Sequence, residues 1–258
     1  MLEFDDETAR RLEVMYTSPD AVRRRNEVLL HLALRPGERV LDVGCGPGFL
    51  AAELAAAVGP TGLVRGIDRS DSMIGMAHRR CAAQPWVTVQ KSDAENLAFA
   101  DAQFDVAVAV QVYEYVADVA GALRQVSRVL RPRGRVLVVD TDWDSIVWSS
   151  GDPQRMTRVL AAFDEHLTHP HLPRELGPLL SRAGFRLERC DALVQLNLTL
   201  GANGFSVGLL DLVHAFVAGR QGVTRAEADA WAEELRARDR RGEYFFSLNQ
   251  YYFLASKL

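Results

Sequence analysis

Lysine is nearly missing from this chain. Only Lys91 and Lys257 stand among 30 basic residues, so almost every cation is an arginine, a bias that points to a GC-rich, bacterial source. Cysteine is as scarce. Cys45, Cys81 and Cys190 are too few for a disulfide framework and too scattered for a zinc set. No apolar run approaches the roughly 20 residues of a membrane span, so no membrane partner is expected. The opening stretch, MLEFDDETARR, is acidic and amphipathic, unlike a secretory leader. A general basic field is lacking too: the net charge is −4 and the pI about 5.9. The arginine clusters at 23–25, 131–135 and 236–241 read as solvated surface, so no nucleic-acid partner is expected. The last three residues, Ser256-Lys257-Leu258, can act as a peroxisomal address, yet YYFLASKL reads better as a final strand. The expectation is a cytoplasmic protein of enzyme size.

Apolar bursts alternate with helical patterns through the first half. RVLDVG (39–44), GLVRGID (62–68), WVTVQKSD (86–93), QFDVAVAVQV (103–112) and GRVLVVD (134–140) read as strands. GFLAAELAAAV (48–58), SDSMIGMAHRRCAAQ (70–84) and DVAGALRQVSRVL (118–130) read as the helices between them. Such alternation implies right-handed crossovers, a parallel sheet and helices on both faces. In sheets of this kind ligands bind at the carboxyl ends of the strands. Asp152-Pro153 opens a helix, and a further one runs from Pro173 to Gly184. Residues 185–200 are a long strand or two, 203–219 and 224–240 are helical, and 243–257 is an aromatic last strand.

The loop after the first strand, VLDVGCGPGFL, carries Asp42-x-Gly44-x-Gly46-x-Gly48. Glycines let the chain turn tightly and let a ligand approach closely, and the following helix offers free N–H groups. Counting from Gly44, a dinucleotide fingerprint would need its third glycine at Phe49, so that template fails. No Gly-Lys-Ser/Thr is present, which excludes a phosphate-cradling P-loop.

The loop, GID after the second strand, SDAENL after the third, the segment FDVAVAVQVYEYVADVAGALRQVSRVLRPRGRV, and LSRAGF occur in order. Together they resemble the class I S-adenosylmethionine-dependent methyltransferases, over about residues 10–200, and most nearly the group that contains the ubiquinone and menaquinone biosynthesis enzymes. The resemblance implies an α/β fold: a Rossmann-like, doubly wound, mostly parallel seven-stranded sheet with an antiparallel C-terminal strand and helical lid insertions. It implies one domain: an N-terminal helical cap (1–34), a cofactor-binding core (35–140), lid insertions (141–182 and 201–242) and the last strand (243–257). It also implies S-adenosyl-L-methionine as cofactor and S-adenosyl-L-homocysteine as product. The glycine loop, Asp42 to Gly48 with Cys45 inside it, would wrap the cofactor. Asp68 would take the ribose hydroxyls, with Arg69 and Met73 beside it. Asp93 and Ala94 would meet the adenine, Gln111 would lie along the methionine moiety, and Tyr16 and Arg25 would close that end. Where relatives often show Glu-His after the fourth strand, this chain has Glu114-Tyr115, so no acid/base role carries over to that position.

Methyl transfer from a sulfonium is an in-line displacement in which proximity alone supplies up to about 7–11 kcal/mol. A base is needed only if the nucleophile must lose a proton. His166, at the edge of the stripe formed by Val159 and Phe163, and Asp142 are the candidate catalytic residues. Tyr113, Trp143, Trp148 and Phe163 are candidates for an apolar or aromatic acceptor pocket. Asp140, Asp142 and Asp144 invite a metal reading. Gln111 and Tyr113 stand where a magnesium-dependent relative would carry acids, and His169-Pro170-His171 is too short to specify a site, so no metal is expected. A small-molecule methyl acceptor is the expected partner, and the aromatic last strand leaves a homodimer open. The competing readings are a non-catalytic binding or sensor protein of the same fold, and a nucleic-acid or protein methyltransferase.

Overall fold

A computed structural model describes residues 15–201 and 204–258. Its first helix, α1 (Pro19–Leu32), is capped by the Ser18 hydroxyl, which accepts from the Ala21 amide. Then follow β1 (Arg39–Val43), α2 (Phe49–Val58), β2 (Leu63–Asp68), α3 (Asp71–Cys81), β3 (Val87–Lys91), β4 (Phe104–Val110), α4 (Val119–Val129) and β5 (Leu130–Thr141). The second half holds β6 (Val147–Trp148), α5 (Pro153–Asp164), α6 (Pro173–Arg182), β7 (Phe185–Asn197), α7 (Phe205–Val217), α8 (Arg225–Arg240) and β8 (Phe246–Lys257). Single 3-10 turns at Tyr113–Tyr115 and Trp143–Ser145 follow β4 and β5.

The strands form one sheet. β3, β2, β1, β4 and β5 run parallel in that order. β8 is antiparallel to β5 along one edge and to β7 along the other. The sheet has eight strands where the sequence implies seven. The eighth is β6, a two-residue ribbon that pairs Val147 and Trp148 with Ser247 and Phe246 just past the end of β5.

The period-2 alternation of a strand explains why the central strands are apolar throughout. On β4, Val106 and Val108 pack toward α1 and α2 with Val28, Leu32 and Leu54. Ala107 and Ala109 face the other way, toward α4 and α6. β5 repeats the split, with Leu137 and Val139 on one side and Val136 and Val138 on the other. A third cluster does not touch the middle of the sheet: α5, α7 and α8 bury Trp231, Phe163, Val213 and Leu235 against Trp143, Trp148, Phe246 and Leu248. α5, α7 and α8 thus form a separately packed layer of helices against β6 and the start of β8.

Candidate active site

A cavity of about 590 Å³ lies at the carboxyl ends of β1, β2 and β4. Gly44 and Gly46 form its floor at β1, Asp68, Arg69 and Met73 its wall at β2, Ala94 its wall after β3, and Gln111 its wall at β4. Two glycines are dictated by space. A Cβ on Gly44, at φ +68, would lie 2.3 Å from Val112 Cγ2. One on Gly48, at φ +83, would lie 2.8 Å from the Cα of Ala77. Asp68 sets the loop: its Oδ2 accepts from the Gly46 amide and its Oδ1 from the Ser70 amide, both at 2.9 Å. Burial raises its pKa and these amides lower it again. Carboxylate, close backbone and left-handed glycine turn together suit a nucleoside with vicinal hydroxyls.

Other candidates stand further back. Asp42 is buried at the end of β1 behind the loop, where loss of solvent and then the Asp68 charge push its pKa well up. Cys45 is buried and its thiol is raised by desolvation, so it is a filler of the loop rather than a nucleophile. The Asp93 side chain is half exposed, accepts from the Glu95 amide and faces Arg69 Nε at 3.7 Å. Ser92 and Ala94 line the cavity on either side of it. Arg25 does not line the cavity. Its Nε donates to both Glu53 oxygens, at 2.9 and 3.0 Å, and its Nη1 donates to the Tyr16 carbonyl at 2.7 Å. Arg25 thereby fixes Tyr16, which does line the cavity.

A smaller cavity of about 100 Å³ adjoins the first, and Tyr16, Gln111 and Tyr115 wall both. Trp143, His166, Phe205 and Arg24 line the small one. His166 is 1% exposed. Its ring stacks on Phe163 at 3.9 Å and meets Trp143 edge-on at 5.1 Å. Its Nδ1 contacts the Phe163 carbonyl, which assigns the proton to Nδ1 and the lone pair to Nε2. Burial lowers its pKa to about 4, so the ring is neutral at pH 7. Gln111 sits at φ +54, a left-handed conformation that costs a non-glycine residue on the order of 1–3 kcal/mol and is common at functional sites. Its Oε1 accepts from Arg24 Nη1 and its Nε2 donates to Thr141 Oγ1 at 3.1 Å.

Three acceptor-pocket candidates lie elsewhere. Phe163 is 1% exposed in the helical core, one layer behind His166. Trp148 donates from Nε1 to Tyr244 Oη at 2.7 Å and packs on Trp231. Tyr113 is fully buried with its hydroxyl unpartnered, packed in the core under α4 and α6. Large aromatics bury much area in a core, and that competing demand takes Phe163 and Trp148 into the lid and Tyr113 into the layer under the sheet.

Although its neighbour Trp143 lines the smaller cavity, Asp142 lines neither. It caps the 3-10 turn, accepting from the Asp144 amide. It receives Arg174 Nε at 2.9 Å and Nη2 at 3.0 Å, while Arg174 Nη2 also reaches Asp144 Oδ2 at 2.7 Å. His171 joins them, with ligand atoms of Asp142, Asp144 and His171 all within 4.8 Å. The Arg174 guanidinium supplies the counter-charge to both carboxylates. Asp140 is 0% exposed, approached by the amides of Val112, Tyr113 and Glu114 without a full hydrogen bond. Burial and then the Glu114 charge raise it well above the carboxylate range. Glu114 itself is pushed up to about 7 by burial, against the Trp143 Nε1 bond that lowers it.

Arg24 and Tyr115 line the smaller cavity without having been singled out as site residues. The Arg23–Arg25 cluster is not uniformly solvated: Arg23 is exposed, but Arg24 is 4% and Arg25 7% exposed. The signal was present, since both arginines fall on the stripe of Ala21, Val28 and Leu32 along α1.

Residues 41–138, which span β1 to most of β5, match a family model described as a methyltransferase domain. An uncharacterized 37.1 kDa protein in a transposon of Streptomyces fradiae is 40% identical over 172 residues, 64% of this chain and 49% of that protein. A 2-phytyl-1,4-naphtoquinone methyltransferase of Synechococcus elongatus is 40% identical over 111 residues, 42% of this chain and 48% of its own length. The chain spans about half the length of these curated relatives. Among solved structures, a putative methyltransferase from Bacillus halodurans superposes with TM-score 0.66 at 18% identity, over 91% of this chain and 99% of the other. Over residues 41–138 the chain is thus similar to a methyltransferase domain, and its fold is shared with solved methyltransferases. In sequence it is similar to 2-phytyl-1,4-naphtoquinone and demethylmenaquinone methyltransferases over a little under half of their length.

Proposed function

We propose that the protein transfers a methyl group from S-adenosylmethionine to a small, largely apolar or aromatic metabolite. The observation that carries this reading is the pair of adjoining cavities that share Tyr16, Gln111 and Tyr115. The larger holds the residue types a nucleoside cofactor needs, and the smaller is aromatic. When bound, the cofactor supplies an electrophilic methyl on a sulfonium. The chain's own task is then to hold, align and dry the site. Asp68 and the loop from Gly44 to Gly48 hold the ribose end, Met73 and Ala94 pack the base, and Gln111 with Tyr16 lies toward the acceptor side. His166, neutral and with Nε2 unprotonated, takes a proton from an acceptor hydroxyl or amine. Trp143 and Tyr115 form the walls against which the acceptor packs.

On this reading the chain is one domain in which residues 35–140 hold the cofactor. Residues 1–34, 141–182 and 201–242 cover it; positions 1–14 and 202–203 lie outside the described residues. No helix among the described residues is long and apolar enough to cross a membrane, and a cytoplasmic protein is proposed. The exposed Val194 and Leu196 of β7 would form the face of a homodimer, which sedimentation velocity tests.

Calorimetry is the direct test of function. S-adenosylhomocysteine should bind saturably, Asp68→Ala should weaken it at least about tenfold, and labelled cofactor should mark a product in a metabolite extract. Absent binding, with Asp68→Ala indistinguishable from the parent, overturns the reading. Binding without any labelled product would favour a sensor of the same fold.

A further inference from the structure

A row of polar side chains crosses an otherwise apolar face of the sheet. Val139 of β5, Leu193 of β7 and Tyr252 of β8 pack on that face with Val28 and Leu32 of α1. One strand period further along stand Thr141, Gln195 and Gln250, all buried and none lining either cavity. Buried polar groups are costly unless they are paired, and these bond to one another. Gln195 Nε2 donates to Gln250 Oε1 at 3.0 Å, and Gln250 Nε2 donates to Thr141 Oγ1 at 3.2 Å. Gln111 Nε2 donates to the same Thr141 oxygen at 3.1 Å.

An arginine of α1 closes each end of the row. Arg24 Nη1 donates to Gln111 Oε1, and Arg23 Nη2 donates to Gln195 Oε1. A guanidinium can only donate, so each arginine fixes which way its carboxamide lies. The amide nitrogens of both limbs therefore run inward, and the Thr141 hydroxyl oxygen accepts from both. A flipped Gln111 amide would set its own N–H groups against the Arg24 guanidinium. Gln111 walls both cavities from a left-handed backbone, a conformation that persists only where the surroundings over-determine it.

We propose that Thr141, with Gln250 and Gln195 behind it, is a positioning residue that holds the Gln111 carboxamide in the orientation the cofactor needs. This rests on the methyltransferase reading and adds to it three residues that line neither cavity.

Thr141→Val keeps the shape of the side chain and removes the acceptor for Gln111 Nε2. Calorimetry with S-adenosylhomocysteine and the full chain should give Thr141→Val an affinity about fivefold or more below the parent's, and Thr141→Ser one within about twofold of it. Gln111→Leu should lose affinity as well, and adding Thr141→Val to it should cost less than about twofold more, because Thr141 acts through Gln111. Parental affinity in Thr141→Val, an equal loss in Thr141→Ser, or full additivity in the double variant would overturn the proposal. The last of these would leave Thr141 a structural role alone. A second readout needs no variant. The side-chain amide NMR signal of Gln195 in the parent, assigned from its own backbone, should shift on saturation with S-adenosylhomocysteine. A signal that stays in place would overturn the link through Thr141. Failure of the parent to bind S-adenosylhomocysteine at all is the separate result that removes the methyltransferase reading.

Discussion

Single atoms decide much at this site. Gly44 is the sharpest case, because a methyl there would overlap Val112 Cγ2 at 2.3 Å and would also demand φ +68 of an alanine. Gly44→Ala should therefore lose S-adenosylhomocysteine binding by about tenfold or more and about 1–3 kcal/mol of stability, read by calorimetry and urea melts. His166 makes a different prediction. Its folded pKa of about 4 lies below the ordinary 6.5, so between those values the unfolded chain takes a proton that the folded one refuses. Stability is then complete above pH 6.5 and falls by on the order of 3 kcal/mol as pH drops toward 4. Glu114, raised to about 7, acts in the opposite sense over pH 4.5–7, but it is common to parent and variant and cancels in the difference. The melting temperature of His166→Gln should accordingly fall less between pH 7 and pH 4.5 than that of the parent. Its turnover should drop roughly 10²–10⁴-fold with cofactor affinity kept. Turnover equal to the parent's would remove His166 as the base.

Elements, more than residues, were legible in the sequence. The alternation of apolar bursts with capped helices placed every strand from β1 to β5 within a few positions, because the central strands β1, β4 and β5 are buried on both faces and leave no polar face to blur the pattern. The loop at Gly44 to Gly48 and the strand-end Asp68 were readable for the same reason: position after a strand fixes what they face. The acceptor side was not, since a Trp that lines a pocket and a Trp that fills a lid core satisfy the same helical spacing. Trp143 opens a 3-10 turn that brings it to the smaller cavity, while Trp148 lies on the two-residue β6 and packs on Trp231 and Phe246. The stretch from Asp140 to Ser150 shows what such local chemistry can hide. Its aspartates cap a 3-10 turn and hold Arg174 at the entry of α6. Asp142→Asn should cost about 1–3 kcal/mol by loosening that anchor, while turnover and S-adenosylhomocysteine affinity stay within about twofold. A hundredfold loss of turnover in a variant of near-parental stability would return Asp142 to the chemistry.

At the scale of the molecule there are two packing units with different jobs. The sheet and its flanking helices bury Val, Leu and Ala in two layers, while α5, α7 and α8 close around Trp231, Trp148 and Phe246. Trp148→Ala removes a buried indole and its bond to Tyr244, a loss of about 3–5 kcal/mol. Hydrogen exchange should show amides of α5, α7 and α8 losing protection by that amount, and amides of β1 and β4 much less. Uniform loss across both units would mean that they unfold together.

The partition between the two cavities is made of Tyr16, Gln111 and Tyr115, and each of these side chains has one surface for either ligand. Two molecules that press on the same thin wall are thermodynamically linked. Whatever factor a resident cofactor adds to the affinity of the acceptor, the acceptor must return to the cofactor. On the proposed reading the wall therefore couples the two occupancies in either order, without any moving gate.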